Sequence, residues 1–220
     1  MNMEAFSLFY VVYLTAVIWL GLLFVVGRKK RQLLPVQKGG LGVIACGSVF
    51  ILVKGLPLWK LVFSFHPNSS LPLMGLVMIA LWKQLTGWTI FRPEEWRAAW
   101  IFGAVAGSTL YLHSFVYGPV DLYFFGWDSE PVIVCMAGFG LIFLVNGNRF
   151  GILFIAALLA FGMDILESSN GWDYVIDPAY WLIGMGVTLR TGLAWLFRRS
   201  RARWSARRAP LGSQPVKQGS

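Results

Sequence analysis

Charge is scarce in this 220-residue chain: Asp, Glu, Lys and Arg make up 13% of it, about half the share usual in soluble domains. Cysteine is scarcer, with Cys46 and Cys135 the only two. They fall in separate apolar runs, near the inner end of one and the outer end of the other. A disulfide needs Cα atoms within about 7 Å, so buried free thiols are expected instead. No HxxxH, ExxH or CxxC spacing occurs. The sequence therefore identifies no reaction, and neither a metal site nor a cofactor is expected. Also missing is a basic stretch ahead of the first apolar run. Glu4 precedes the run from Ala5 to Gly27, and Arg28, Lys29, Lys30 and Arg31 follow it. That order is the reverse of a cleavable signal peptide and reads as a retained anchor with its N-terminus outside.

What is present is apolar. Hydrophobic residues form 57% of the chain, with eleven Trp and seventeen Phe, and the mean hydropathy is +0.63. A helix crossing about 30 Å of hydrocarbon needs roughly 20 apolar residues. Seven runs come near that requirement: 5–27, 41–63, 71–91, 98–119, 131–145, 150–166 and 179–197. The fifth and sixth are short and are joined by the turn Asn146-Gly147-Asn148-Arg149, so they either span a thinned bilayer or form a re-entrant hairpin. The expected fold is an all-α integral membrane protein of about seven transmembrane helices. A single bundle would occupy 1–197, and 198–220 would be a basic, disordered cytoplasmic tail.

The charges sort by side under this count. Arg28 to Arg31, Lys38, Arg92, Arg97, Arg149 and the tail arginines fall within, and eight of the ten carboxylates fall outside. Lys and Arg placement sets orientation, giving an outer N-terminus and a cytoplasmic C-terminus in a multi-pass plasma-membrane protein, in particular of a bacterial inner membrane. The net charge of +9 is a common footprint of nucleic-acid binding, but here it flanks the apolar runs. The expected partners are thus the lipid bilayer and other membrane or periplasmic proteins, not nucleic acid.

Candidate functional residues gather on the outer side: His113, Trp127, Asp128, Asp164, Glu167, Trp172, Asp173 and Asp177. Three-residue and four-residue spacings would put Asp164 with Glu167, and Asp173 with Asp177, on shared helical faces. Carboxylates beside Trp faces could bind cations or sugars or supply an acid and base. The plainer account is an acidic rim left by the topology. Asp164 stands out because it directly follows the apolar run 151–163, where desolvation raises a carboxyl pKa; its plain role is to end that helix. Lys83 and Arg190 fall near the midplane and suit an anionic substrate, or else snorkel inward. The segment Arg92-Pro93-Glu94-Glu95-Trp96-Arg97 reads as a helix start, and Gly103-xxx-Gly107 as a helix-packing face. An internal echo pairs Gly126-Trp127-Asp128 with Gly171-Trp172-Asp173, each ahead of an acid, a proline and a Gly-rich helix. Three functional classes follow. The first is a non-catalytic accessory, assembly or recognition component. The others are a small transporter of an anionic solute or lipid, and a membrane enzyme acting on a lipid-linked substrate at the outer surface.

Overall fold

Proline marks where most of the helices begin, because its missing N–H costs nothing in a first turn and its φ is already helical. The computed structural model describes residues 3–29, 33–113, 121–127 and 129–208. Helix α1 (Met3–Lys29) is followed by α2 (Pro35–Ser48), a two-stranded hairpin of β1 (Leu52–Val53) and β2 (Leu56–Pro57), and α3 (Leu58–Phe65). Helix α4 (Leu71–Thr86) and α5 (Pro93–Gly107) come next, and α5 runs into a π-turn at Ser108–Leu112. A 3-10 turn (Phe124–Trp127) leads to α6 (Ser129–Val145), which a tight turn joins to α7 (Phe150–Gly162). A second 3-10 turn (Gly171–Tyr174) precedes α8 (Pro178–Arg208).

The main core lies where α4, α5, α7 and α8 meet, around Leu73, Leu76, Ala99, Phe150, Phe154 and Tyr180. Phe102 of α5 presents its ring edge-on to Phe154 at 4.8 Å and also meets Phe139, Phe143 and Phe150. Such edge contacts add roughly 0.5–1.5 kcal/mol per pair beyond area burial. Gly103 and Gly107 lie directly under the Tyr180 and Trp181 rings, where a Cβ at either would come within 2.7 Å or less of ring atoms. The small-residue face of α5 is thus filled from within the same chain. The Tyr180 hydroxyl completes the joint by donating to the Ala99 carbonyl at 2.7 Å.

Among the described residues seven full-length spans do not form. One helix among the described residues, Ser7–Gly27 within α1, is long and apolar enough to cross a membrane, while the other apolar helices have 10–17 residues. The second apolar run breaks at Lys54 and Gly55, whose φ of 51° and 84° make the two-residue turn of a hairpin. The run at 71–91 ends early at Gly87, a left-handed cap with φ 81°, and the sixth run stops at Gly162. The supported fold is mostly helical, with one helix that meets the span criterion. Everything built on seven spans falls with the count: the outside-to-cytoplasm orientation, the multi-pass placement in a plasma or bacterial inner membrane, and the bilayer with membrane or periplasmic proteins as partners. The three functional classes derived from a polytopic architecture, including transport, lose their basis in the same way. Much of the exterior is nonetheless apolar, with Val36, Phe65, Trp88 and Val145 all more than three-quarters exposed.

Helix α8 continues to Arg208, so the first part of the basic tail is helical; residues 209–220 lie outside the described residues.

Candidate functional site

The two Gly-Trp-Asp segments meet. Gly126 and Trp127 close one 3-10 turn and Gly171, Trp172 and Asp173 lie in the other, each just ahead of a long helix. Gly126 lies so close to Asn170 and Trp172 that a Cβ there would collide with both, and Gly171 is pressed against Val132. Asn170, fully buried, ties the turns together. Its amide nitrogen donates to the Tyr123 carbonyl at 3.1 Å, and its Oδ1 accepts the Trp172 N–H at 2.9 Å. The Trp172 indole N–H donates to the Leu122 carbonyl at 3.1 Å. Beside this joint the Tyr123 hydroxyl donates to Asp173 Oδ1 at 2.6 Å. Burial, with the nearby Asp177 charge adding to it, pushes the Asp173 carboxyl up despite hydrogen bonds from Ser168 and Tyr123.

Asp177 is deeper, 1% exposed, and serves two helix starts. Its Oδ1 accepts the Tyr180 N–H at 2.9 Å in the first turn of α8, and its Oδ2 accepts the Ser70 N–H at 2.8 Å just ahead of α4. A carboxylate at two helix N-termini satisfies orphan donors and complements both dipoles. His66 Nε2 approaches the same Oδ1 at 3.4 Å. Tyr111, on the π-turn, donates to the Ile176 carbonyl at 3.2 Å, and burial raises its pKa with the Asp173 and Asp177 charges adding.

An open groove of about 720 Å³ runs beside this polar joint. Ile101, Phe102 and Val105 of α5 and Cys135 and Phe139 of α6 form its sides, and Leu122 and Trp172 come from the two loops. Thr109 and Leu110 of the π-turn also line it, while the next residue, Tyr111, reaches the polar joint. A π-turn changes which side successive residues face and is common at functional sites.

The sequence candidates therefore separate. Trp172, Asp173 and Asp177 belong to one assembly, although none of the acids sits within a helix. Asp164 and Glu167 do not share a helical face, because α7 has ended before them. Asp164 instead takes φ 49°, and the Ile165 N–H reaches back to the Ala160 carbonyl at 3.1 Å, which closes the helix as a left-handed cap does. Both side chains are exposed. Trp127 is 58% exposed, His113 follows the π-turn, half-buried, and Asp128 lies outside the described residues. Lys83 and Arg190 are exposed on different helices; Lys83 is in the last turn of α4, where a cation suits the dipole. Cys46 and Cys135 are free thiols, the first exposed. No group of three or more His, Cys, Asp and Glu able to hold a metal ion occurs among the described residues.

Reading by motif passes over Tyr123 and Asn170, neither of which carries a sequence signature, and it finds in Asn68-Ser69-Ser70 only a formal glycosylation sequon. It also passes over the strongest charge contact, at the far end of α5. There Glu95, fully buried, receives Arg149 Nε at 2.9 Å and Nη2 at 2.7 Å, and the backbone N–H groups of Arg149 at 2.9 Å and Arg92 at 2.6 Å. Loss of hydration pushes the Glu95 carboxyl up, but these hydrogen bonds outweigh it and hold it at about 2.

Comparison with family models, with curated proteins and with solved structures finds no match to this chain.

Proposed function

We propose that this chain binds a small apolar molecule in the groove between α5, α6 and the two Gly-Trp-Asp turns. The observation that carries the reading is the groove itself: about 720 Å³, with an almost wholly apolar lining. Small-molecule sites are concave clefts of roughly 300–1,000 Å³ lined mainly by hydrophobic and aromatic side chains. Burying a ligand's apolar surface there contributes about 25 cal/mol per Å². Trp172 supplies the aromatic wall, held by its indole bond to Leu122. Asp173 and Asp177 hold the loop that carries it.

Cys135 provides the readout, since its thiol lines the groove. In a Cys46→Ser background, an unbranched fatty-acid probe should slow maleimide labelling of Cys135 saturably. Ala106→Trp, which fills the groove from α5, should abolish that protection while the helical circular dichroism is retained. Protection that does not saturate, or that survives Ala106→Trp, would sink the proposal.

A further inference from the structure

A second feature, separate from the groove, surrounds Asp177. Both ends of the segment from His66 to Ser70 meet its carboxylate. His66 at one end approaches Oδ1, and the Ser70 N–H at the other binds Oδ2. Four buried side-chain atoms in this segment, His66 Nε2, Asn68 Oδ1, Ser69 Oγ and Ser70 Oγ, have no hydrogen-bond partner among the described residues. Ser69 and Ser70 are 1% and 0% exposed. Tyr13 of α1 lies beside Ser69, though without the alignment of a hydrogen bond to its Oγ. An unmade hydrogen bond costs a buried polar group about 1–3 kcal/mol, so four in five residues call for an occupant.

The chemistry of the set restricts that occupant. All four atoms can offer a lone pair, Asn68 Oδ1 can do nothing else, and the neighbouring carboxylate is anionic. The acceptor-only Asn68 Oδ1 and the carboxylate favour an electron-poor occupant, to which the hydroxyls and the imidazole can also offer lone pairs. The occupant is also small, because the atoms are closed off from solvent. His66 Nε2 stands 3.4 Å from Asp177 Oδ1 yet lacks the alignment of an N–H···O bond. Two ligands bound at about 2.0–2.1 Å to one tetrahedral ion lie about 3.4 Å apart. We propose that His66 and Asp177 bind a divalent transition ion of the zinc type, with Asn68 Oδ1 or the Ser69 and Ser70 hydroxyls completing its shell. An imidazole with a carboxylate and neutral oxygens is a donor set such ions accept. Only two strong ligands take part, which is why the site does not register as a cluster of His, Cys, Asp and Glu.

The test uses the full chain stripped with a chelator and titrated with Co²⁺ and Zn²⁺. A 1:1 site with the intense visible bands of tetrahedral Co²⁺, displaced by Zn²⁺, is expected. His66→Gln should weaken Zn²⁺ by more than about tenfold, the scale on which even an outer partner of a metal ligand acts. Asn68→Ala should weaken it less, and both variants should keep the wild-type helical content. A featureless Co²⁺ spectrum overturns the proposal and leaves the orphaned atoms to bound water. Unchanged Zn²⁺ affinity in His66→Gln overturns it too, placing the ion elsewhere.

Discussion

The two ends of α5 solve one problem by different means. At its start Glu95 is neutralised by a guanidinium; past its end, beyond the π-turn, Asp177 is held by two backbone N–H groups and approached by an imidazole. The first arrangement is an ion pair whose cation remains close to half exposed. In the second, the carboxylate lies at two helix N-termini and accepts an N–H from each. A buried ion pair can be exchanged for apolar packing with little loss. A shared cap cannot be exchanged that way, because removing it strands donors on two helices at once. The Glu95 end is thus a clasp between α5 and the turn ahead of α7, and the Asp177 end is the point on which α4 and α8 both depend.

The largest expected effect follows from that difference. Asp177→Ala should cost about 3 kcal/mol, the sum of two lost caps and the donors left bare, measured by chemical denaturation. A loss no larger than that of a single exposed cap would erase the distinction between the two ends.

The pH dependence should sharpen it. Glu95→Gln should cost about 2 kcal/mol at neutral pH, less than the roughly 3–5 kcal/mol of a fully buried broken pair because Arg149 is partly solvated. The folded carboxyl lies at about 2 against an ordinary 4.5, so its contribution is full above pH 4.5 and is lost as pH falls toward 2. Asp173 runs the other way. Its folded value is raised above 3.8, so its contribution is full below that pH and is lost as pH rises through the raised value. Denaturation midpoints across pH should therefore show Glu95→Gln flattening the acid limb and Asp173→Asn removing the opposite slope. Identical pH profiles for the two variants would refute the contrast.

The smallest effect concerns Asp164. A non-glycine residue at φ 49° pays a penalty that glycine does not, so Asp164→Gly should gain about 0.5–1 kcal/mol and leave ligand protection of Cys135 unchanged. Loss of that protection would return Asp164 to the functional set.

Local signals were legible in the sequence, and counts and partnerships were not. Pro35, Pro72, Pro93 and Pro178 mark helix starts, and Arg92 to Arg97 does form the start of α5. Apolar runs do contain helices, but a run does not show where a chain turns. Lys54-Gly55 and Gly87 interrupt two runs because their left-handed backbone ends regular structure, a signal a hydropathy window averages away. Spacing alone puts the acids at 164, 167, 173 and 177 on helices, yet most of that stretch is loop. Asn170 and Arg149 act through partners 47 and 54 residues away, a separation no short motif encodes.

The meeting of Gly126 with Asn170 and Trp172 has a consequence for how this chain can change over evolutionary time. The first turn supplies the space that Asn170 and Trp172 fill, so bulk cannot be added at 126 unless it is removed at 170 or 172. The two turns then behave as one heritable unit, and divergence should proceed by paired exchanges, with size at position 126 varying inversely with size at its opposite number. A chain that kept one Gly-Trp turn and lost the other would also lose the loop that places Trp172 against the groove.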